Sequence, residues 1–174
     1  MSYRSETSLV RERIVDKWIY PDIQNGLDLG YGGDPISIHS IAMDMPERYA
    51  QTHDEYEKEY PQHLFGNARH LYWFADGVMD YIYSSHLLED FPDTSLVLLE
   101  WLRVLKPGGR LILNLPDESK YRAHCMATGQ PYNQNHQQPA MSLNWMYNRL
   151  EDLGCHILHG EEIPPYSFIV VATK

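Results

Sequence analysis

The sequence has little cysteine and no long apolar run. Its two cysteines, Cys125 and Cys155, do not have the close spacing of metal ligands, so we expect reduced thiols. The N-terminus carries no apolar signal region, and no hydrophobic run is long enough to cross a bilayer. These absences predict a soluble cytoplasmic protein with no membrane span.

Positive charge is also scarce. The chain has 14 Lys and Arg against 24 Asp and Glu, which gives a formal net charge of -10. A nucleic-acid footprint needs clustered cations to neutralise phosphates, so a nucleic-acid partner is not expected. With 174 residues, 43% of them hydrophobic, and no internal repeats, the chain is predicted to form one domain, 1–174.

The most informative stretch is Gly26–Gly33, which reads Gly-Leu-Asp-Leu-Gly-Tyr-Gly-Gly. An apolar run ends in an acid and a glycine-dense turn follows, as where a buried parallel strand leads into a ligand-binding loop. Glycines let the backbone turn sharply and approach a ligand without a Cβ in between. Three further segments follow in order: Ser40–Asp44, His63–Ala68 and Met79–Pro116.

Hydrophobic periodicity and turn residues predict alternating strands and helices. Amphipathic helices are expected over Ser5–Tyr20, within an N-terminal segment 1–22, and over Ser142–Leu153. Seven strands are expected over Ile23–Leu29, Ser40–Asp44, Gln62–Gly66, Met79–Ser84, Arg110–Leu115, Cys155–Glu161 and Tyr166–Thr173. Alternation followed by a final strand pair predicts an α/β fold, with a mainly parallel sheet, an antiparallel C-terminal strand and helices on both faces.

Two local details sharpen this assignment. Asp93 is the expected N-cap of a helix on which Trp101 is structural, and the apolar face of that helix is predicted to hold Leu96, Leu99, Leu102 and Leu105. Only nine residues, 31–39, separate the first two strands, which leaves room for about one helical turn, begun by Pro35.

The block from Met79 carries the strongest pattern. Met79–Phe91 reads Met-Asp-Tyr-Ile-Tyr-Ser-Ser-His-Leu-Leu-Glu-Asp-Phe, and Glu100–Gly109 reads Glu-Trp-Leu-Arg-Val-Leu-Lys-Pro-Gly-Gly. Over residues 26–117 the chain resembles class I S-adenosylmethionine (SAM)-dependent methyltransferases, in particular a small methyltransferase-11-like branch with a short first crossover. The resemblance implies a Rossmann-like domain and SAM as the cofactor.

The resemblance also implies the residues that bind this cofactor. The implied set is Asp28, Gly30, Gly32, Gly33, Asp44, Met45, Asn67, Ala68, Ser84 and Ser85. Its first four members would hold the methionine part of SAM, with the acid facing the ammonium group. Asp44 would bind the ribose, and the next three residues would contact adenine. Asp34 replaces a third glycine of the family pattern, and a purely structural turn with a chance acid remains the alternative.

Ligands bind at the open end of a parallel sheet, so the residues after the fourth and fifth strands are candidates for catalysis and acceptor binding. His86 and Asp117 are the candidate catalytic residues. The polar segment 117–140 is expected to be a substrate lid, with Tyr121, His124 and His136 as acceptor contacts. A bracing role for His86, and an incidental place for the lid histidines in a solvated loop, are the alternatives. No close-spaced metal-ligand motif occurs, and no metal is expected.

The predicted activity is methyl transfer from SAM to a small-molecule or sugar-type acceptor, and a homodimer is compatible with the sequence. A non-catalytic SAM-binding scaffold or regulatory protein is the main alternative. An NAD-dependent oxidoreductase is disfavoured, because a Gly-x-Gly-x-x-Gly pattern from Gly30 puts Pro35 where glycine is required. Asp44 also follows too soon for the acid of the dinucleotide pattern.

Overall fold

The computed structural model describes residues 6–19, 25–45 and 63–174. The chain begins with helix α1, Glu6–Ile14, which continues as a π-helical turn over Val15–Ile19. Of the apolar residues that recur at helical spacing, Val10 and Ile14 are buried, while Leu9 and Trp18 are half-buried; Ile19 is buried as well. The first residues expected for two of the strands, 23–24 and 62, lie outside the described residues.

The described residues contain a seven-stranded sheet in the order β3-β2-β1-β4-β5-β7-β6. The strands are β1 Gly26–Leu29, β2 Ser40–Asp44, β3 Leu64–Phe65, β4 Met79–Ser85, β5 Leu105–Pro116, β6 His156–Ile163 and β7 Ser167–Thr173. Strands β1 to β5 pair in parallel, and β7 runs antiparallel to both β5 and β6. The predicted α/β sheet is therefore confirmed, including the antiparallel C-terminal strand.

Apolar side chains cover both faces of the sheet. One core packs α1 against Tyr81, Tyr83 and other residues of the central strands. The other contains helices α2, Thr94–Val104, and α4, Leu143–Asp152, with the fully buried Trp101 at its centre. The indole N–H of Trp101 donates to the Ala68 carbonyl at 2.8 Å, so the structural role expected for this residue is confirmed.

The apolar face predicted for α2 is partly wrong. The Asp93 carboxylate caps the helix by accepting from the Leu96 N–H, as expected, but the Leu96 side chain is 62% exposed and Leu99 is 49% exposed. Nine residues separate Leu96 from Leu105, which is about two and a half turns, so a strict three-residue spacing moves around the helix. The buried face holds Val97, Leu98, Trp101, Leu102 and Val104 instead.

The crossover between β1 and β2 lacks the helical turn that was predicted for it. Residues 31–39, all of them described, form turns and contain no helix, so Pro35 does not begin one. Arg11 of α1 holds this loop instead. Its guanidinium pairs with Asp34 at 2.5 Å and donates to the carbonyls of Pro35 and Ile36.

The segment after β5 is more ordered than its polar composition predicted. Helix α3 covers Glu118–Thr128, begins at the N-cap Asp117 and ends at Gly129, which adopts a left-handed conformation. The parallel strands β1, β2, β4 and β5 all end at the edge of the sheet from which this segment starts. Among the described residues, no helix is long and apolar enough to cross a membrane.

Candidate functional site

A cavity of about 220 Å³ opens at this edge, beyond β1 and β2. Five of the predicted cofactor residues line it: Gly30, Asp44, Met45, Asn67 and Ala68. Its remaining lining residues were not predicted from the sequence and are Met43, Gly66, Leu87, Asp90 and Phe91. The structure therefore brings the ends of β1, β2 and β3 together around one ligand-sized space.

The glycine turn after β1 needs glycine for two physical reasons. Gly30, Gly32 and Gly33 have φ values of 69°, 58° and 90°, a region that L side chains rarely adopt. A Cβ on Gly30 would also lie 2.9 Å from the Leu87 side chain on the wall of the cavity. The Gly32 N–H donates to Asp44 Oδ2 at 3.2 Å, which ties the turn to the end of β2.

Asp28 is fully buried beneath this turn. Its Oδ2 accepts a 2.6 Å hydrogen bond from the Ile36 N–H, while Oδ1 has no hydrogen-bond partner among the described residues. Burial raises the pKa of Asp28 to about 8, against the smaller lowering effect of the Ile36 hydrogen bond. Asp28 does not line the cavity surface, and it lies between the loop and the strand ends.

The two serines at the end of β4 make their contacts within the sheet. The Ser84 hydroxyl is buried and donates to the Leu29 carbonyl at 3.0 Å. The Ser85 hydroxyl accepts from the Asn114 amide, also at 3.0 Å. Neither serine is among the residues that line the first cavity, although both were predicted to bind the cofactor.

A second cavity, of about 190 Å³, lies on the α1 side of the same edge. Leu9, Val10, Ile163, Pro164 and Pro165 supply apolar walls. Its polar lining groups are Asn114, His124, Gln130, Tyr166 and Ser167. His124 is the one predicted acceptor contact that lines this second space.

His86 lies between the second cavity and the interior. Its Nε2 is 3.2 Å from the Ser167 hydroxyl, and its Nδ1 is 3.4 Å from Oε1 of Glu89. The backbone of His86 has a φ of 48°, which is uncommon for a residue with a side chain, and its N–H donates to the Asn114 carbonyl. The other candidate catalytic residue, Asp117, accepts from the Lys120 N–H at the start of α3.

Behind His86 is a buried cluster of acids and histidine. His136 places Nδ1 against Glu118 and Nε2 3.9 Å from Glu89, and both carboxylates are fully buried. Tyr132 donates to Glu118 at 2.7 Å. Neither side-chain oxygen of Glu89 has a hydrogen-bond partner among the described residues. The His136 side chain is therefore buried in this cluster, 6% exposed, and is not a solvated loop residue.

The paired charges shift the protonation of this cluster. Burial alone would raise the pKa of Glu118, but hydrogen bonds from His136 and Tyr132 outweigh it and hold the pKa below its ordinary value. Burial alone would lower the pKa of His136, and the carboxylates of Glu118, Glu89 and Asp90 raise it instead. We infer that His136 carries a positive charge between two carboxylates at mildly acidic pH.

Aromatic rings from the predicted lid close the outer side of the cluster. Tyr121 stacks on His136 with ring centroids 5.1 Å apart, and it also contacts Tyr166 at 4.9 Å. His124 lies 5.1 Å from the same Tyr166 ring. The three predicted acceptor contacts thus lie in one neighbourhood, but only His124 reaches the second cavity.

Among the polar residues that sequence reasoning missed are Glu89, Asn114 and Glu118. Glu89 lies in the same motif as His86, so its position beside a candidate base was a usable signal. Asn114 is a polar residue inside an otherwise apolar strand, which is also a signal, since a buried amide needs partners. Glu118 has no comparable signal, because its burial depends on Tyr132 and His136, which lie 14 and 18 positions further along the chain.

Comparisons with known proteins agree with this architecture. A family described as "Methyltransferase domain" matches residues 28–113. A Pyrococcus horikoshii protein superimposes with a TM-score of 0.71 at 21% identity, covering 98% of this chain and 92% of its own. A SAM-dependent methyltransferase from Aquifex aeolicus gives 0.64 at 16% identity, covering 93% and 88%. Another from Mesorhizobium loti gives 0.67 at 15%, covering 98% of each chain. A comparison with curated proteins gives no match.

The fold is thus the Rossmann-like fold of these structural neighbours, and the cavity lies at the open end of its parallel strands. The chain carries a methyltransferase domain over residues 28–113, as the motifs of Met79–Pro116 indicated. It is a methyltransferase enzyme whose cofactor is SAM.

Proposed function

We propose that the protein transfers the methyl group of SAM to a small-molecule acceptor, including acceptors of sugar type, that enters the second cavity. One observation carries this proposal: a residue that lines the first cavity directly follows a residue whose side chain contacts the wall of the second. Leu87 lines the first cavity, and the His86 ring contacts Ser167 on the wall of the second. Cofactor and acceptor would therefore meet at the end of β4.

The residues of the first cavity fit SAM. Asp28 is not among the lining residues, but its buried Oδ1 has no hydrogen-bond partner among the described residues, and the ammonium group of SAM, directly or through a water molecule, would supply a donor and a positive charge. Asp44 follows β2, where a carboxylate can accept hydrogen bonds from both ribose hydroxyls. Asn67 and Asp90 offer polar groups to the edge of the adenine, and Met45 offers an apolar surface to its face.

When bound, SAM supplies a methyl group on a positively charged sulfur, and transfer breaks the sulfur–carbon bond, forms a bond to the acceptor and leaves S-adenosylhomocysteine. The protein aligns the reactants and excludes water. His86 is positioned to hold or accept a proton from the acceptor side. The Asp117 carboxylate orients α3, and through it the segment 117–140, over the open end of the sheet.

Calorimetric titration tests the cofactor assignment. SAM and S-adenosylhomocysteine are expected to bind, and NAD(H) is expected not to bind. Tight NAD(H) binding without SAM binding would contradict the proposal. Transfer of labelled methyl groups to a panel of small acceptors then separates an enzyme from a scaffold, because a non-catalytic SAM-binding protein would bind the cofactor and label no acceptor.

A cytoplasmic location and a homodimer are two further proposals that rest on the sequence. Light scattering coupled to size-exclusion chromatography measures the mass in solution. A mass near 40 kDa, twice the 20.3 kDa of one chain, supports the dimer. A mass near that of one chain contradicts it.

A further inference from the structure

The second cavity contains a buried hydrogen-bond acceptor that no described residue satisfies. Asn114 is 1% exposed, and its amide nitrogen is held by the Ser85 hydroxyl at 3.0 Å. In this contact the amide nitrogen is the donor. The amide Oδ1 is left without a hydrogen-bond partner among the described residues, although Asn114 lines the cavity. A buried carbonyl of this kind requires a donor, which a ligand can bring.

The charges around this cavity exclude one class of ligand. The residues that line it include no lysine or arginine. Behind its wall, by contrast, His86 contacts Glu89, whose buried carboxylate oxygens accept no hydrogen bond within the described part of the chain. Phosphate and carboxylate groups are commonly bound by lysine and arginine side chains, and the described residues that line this cavity include neither. A cationic or neutral donor fits the site, and an anion does not.

The same contacts favour an amine over an alcohol. An alkylammonium group has a pKa of about 10, like the lysine side chain. At neutral pH it therefore carries a positive charge as well as hydrogen-bond donors. It must lose one proton before its nitrogen can accept a methyl group. The His86 ring, with Glu89 at Nδ1 and Ser167 at Nε2, can take that proton and keep its charge beside the Glu89 carboxylate.

We propose that the acceptor is a small amine with an apolar body, which donates to Asn114 Oδ1 and gives a proton to His86. This inference rests on the proposed function. The amine nitrogen keeps its electron pair when the proton moves to the imidazole, so the ammonium becomes a neutral nucleophile and His86 becomes an imidazolium. The apolar body packs against the walls formed by Val10, Ile163 and Pro164. Glu89 is a positioning residue, which acts through His86.

Three probes of one size test this assignment: 2-phenylethylamine, 2-phenylethanol and phenylacetate. Each is titrated by calorimetry into protein saturated with S-adenosylhomocysteine. We expect the amine to bind at least about tenfold more tightly than the alcohol, which corresponds to one charge-assisted contact, and phenylacetate not to bind. Tighter binding of phenylacetate overturns the proposal. So does binding of none of the three to protein that binds S-adenosylhomocysteine. Protein that fails to bind S-adenosylhomocysteine contradicts the proposed function itself.

Two variants assign the preference to the residues named. In Glu89→Gln the amine-to-alcohol affinity ratio is expected to fall by about tenfold while alcohol affinity is unchanged, because only the charge is removed. Asn114→Leu should weaken the binding of both the amine and the alcohol. Glu162→Gln is the matched control, since this acid on β6 is exposed and pairs with Lys120, and its ratio should equal that of the wild type. An unchanged ratio in Glu89→Gln, with a wild-type melting curve, overturns the role of Glu89.

Discussion

Asp28→Asn should stabilise the cofactor-free protein and weaken cofactor binding at the same time. Burial raises the pKa of Asp28 from 3.8 to about 8, so the folded state favours the protonated carboxyl group. The unfolded chain ionises near its ordinary value. Between these two values the folded state binds more protons, and stability therefore falls as pH rises. An asparagine, which is always neutral, is free of this effect.

The size of the effect follows from the same values. Each pH unit between the unfolded and folded pKa costs about 1.4 kcal/mol. From 3.8 to pH 7 is about 3 units, so the free energy of unfolding of the variant should exceed that of wild type by about 4 kcal/mol at pH 7. Above a pH of about 8 the difference should stop growing. The hydrogen bond from the Ile36 N–H can be retained by the asparagine carbonyl.

Urea unfolding of the cofactor-free protein at pH 5, 6, 7 and 8 measures this difference. Asp76→Asn is a suitable control, because Asp76 is exposed and its ion pair with Arg103 lies at the surface, so its effect should be below about 1 kcal/mol at every pH. A difference between wild type and Asp28→Asn that does not grow from pH 5 to pH 8 would refute the reasoning.

Calorimetry of the same proteins completes the test. The positive charge of the SAM ammonium group favours the ionised carboxylate, so the affinity of wild type for SAM should rise with pH up to about 8. Asp28→Asn should bind more weakly and lose this rise. Unchanged affinity in the variant would remove Asp28 from the cofactor site.

Four shorter predictions concern the rest of the site. Asp44→Ala should weaken SAM binding by about 1–3 kcal/mol in calorimetric titration, because hydrogen bonds to a charged group are lost; equal affinity would place the ribose elsewhere. His86→Ala should lower turnover by about 100-fold with SAM affinity nearly unchanged; wild-type turnover would leave alignment alone as the mechanism. Glu118→Gln should cost about 3 kcal/mol in urea unfolding, because it breaks the buried pair with His136. Since the Glu118 pKa is lowered and the His136 pKa is raised, this loss should be greatest between their ordinary values, 4.5 and 6.5, and should shrink at higher pH; a loss that is independent of pH would exclude the ion pair. Limited proteolysis should cleave the segment 117–140 more slowly when cofactor and acceptor are present, and equal rates would reject a mobile lid.

Local signals in the sequence were sufficient for the sheet and for the glycine turn after β1. The strand Ser40–Asp44 has the predicted bounds, and the glycines after β1 adopt the positive φ values that their spacing implied. The cap at Asp93 also lies where predicted, and the helix expected over Ser142–Leu153 is observed over Leu143–Asp152, with Ser142 as its N-cap. In each case the determining contacts are between residues close in sequence, or depend on a periodicity that the sequence displays directly.

The predictions that failed or were missing depend on contacts between distant residues. Residues 31–39 form no helix because Arg11, from another element, satisfies the loop carbonyls that a helix would otherwise have paired. The cluster of Glu89, Glu118 and His136 assembles from three segments, and no one of these segments reveals it. Burial of a charge is a property of the packed molecule, since its cost depends on which partners surround it.

The attachment of Arg11 to the loop makes helix α1 part of two binding equilibria. The Arg11 guanidinium pairs with Asp34 and donates to the carbonyl of Pro35, in the backbone that continues from the glycine turn. On the same helix, Leu9 and Val10 form a wall of the second cavity. A ligand that orders the glycine turn therefore also stabilises the docked position of α1, and with it the acceptor wall. Cofactor and acceptor should consequently bind with positive cooperativity, and by reciprocity each should raise the affinity for the other by the same factor.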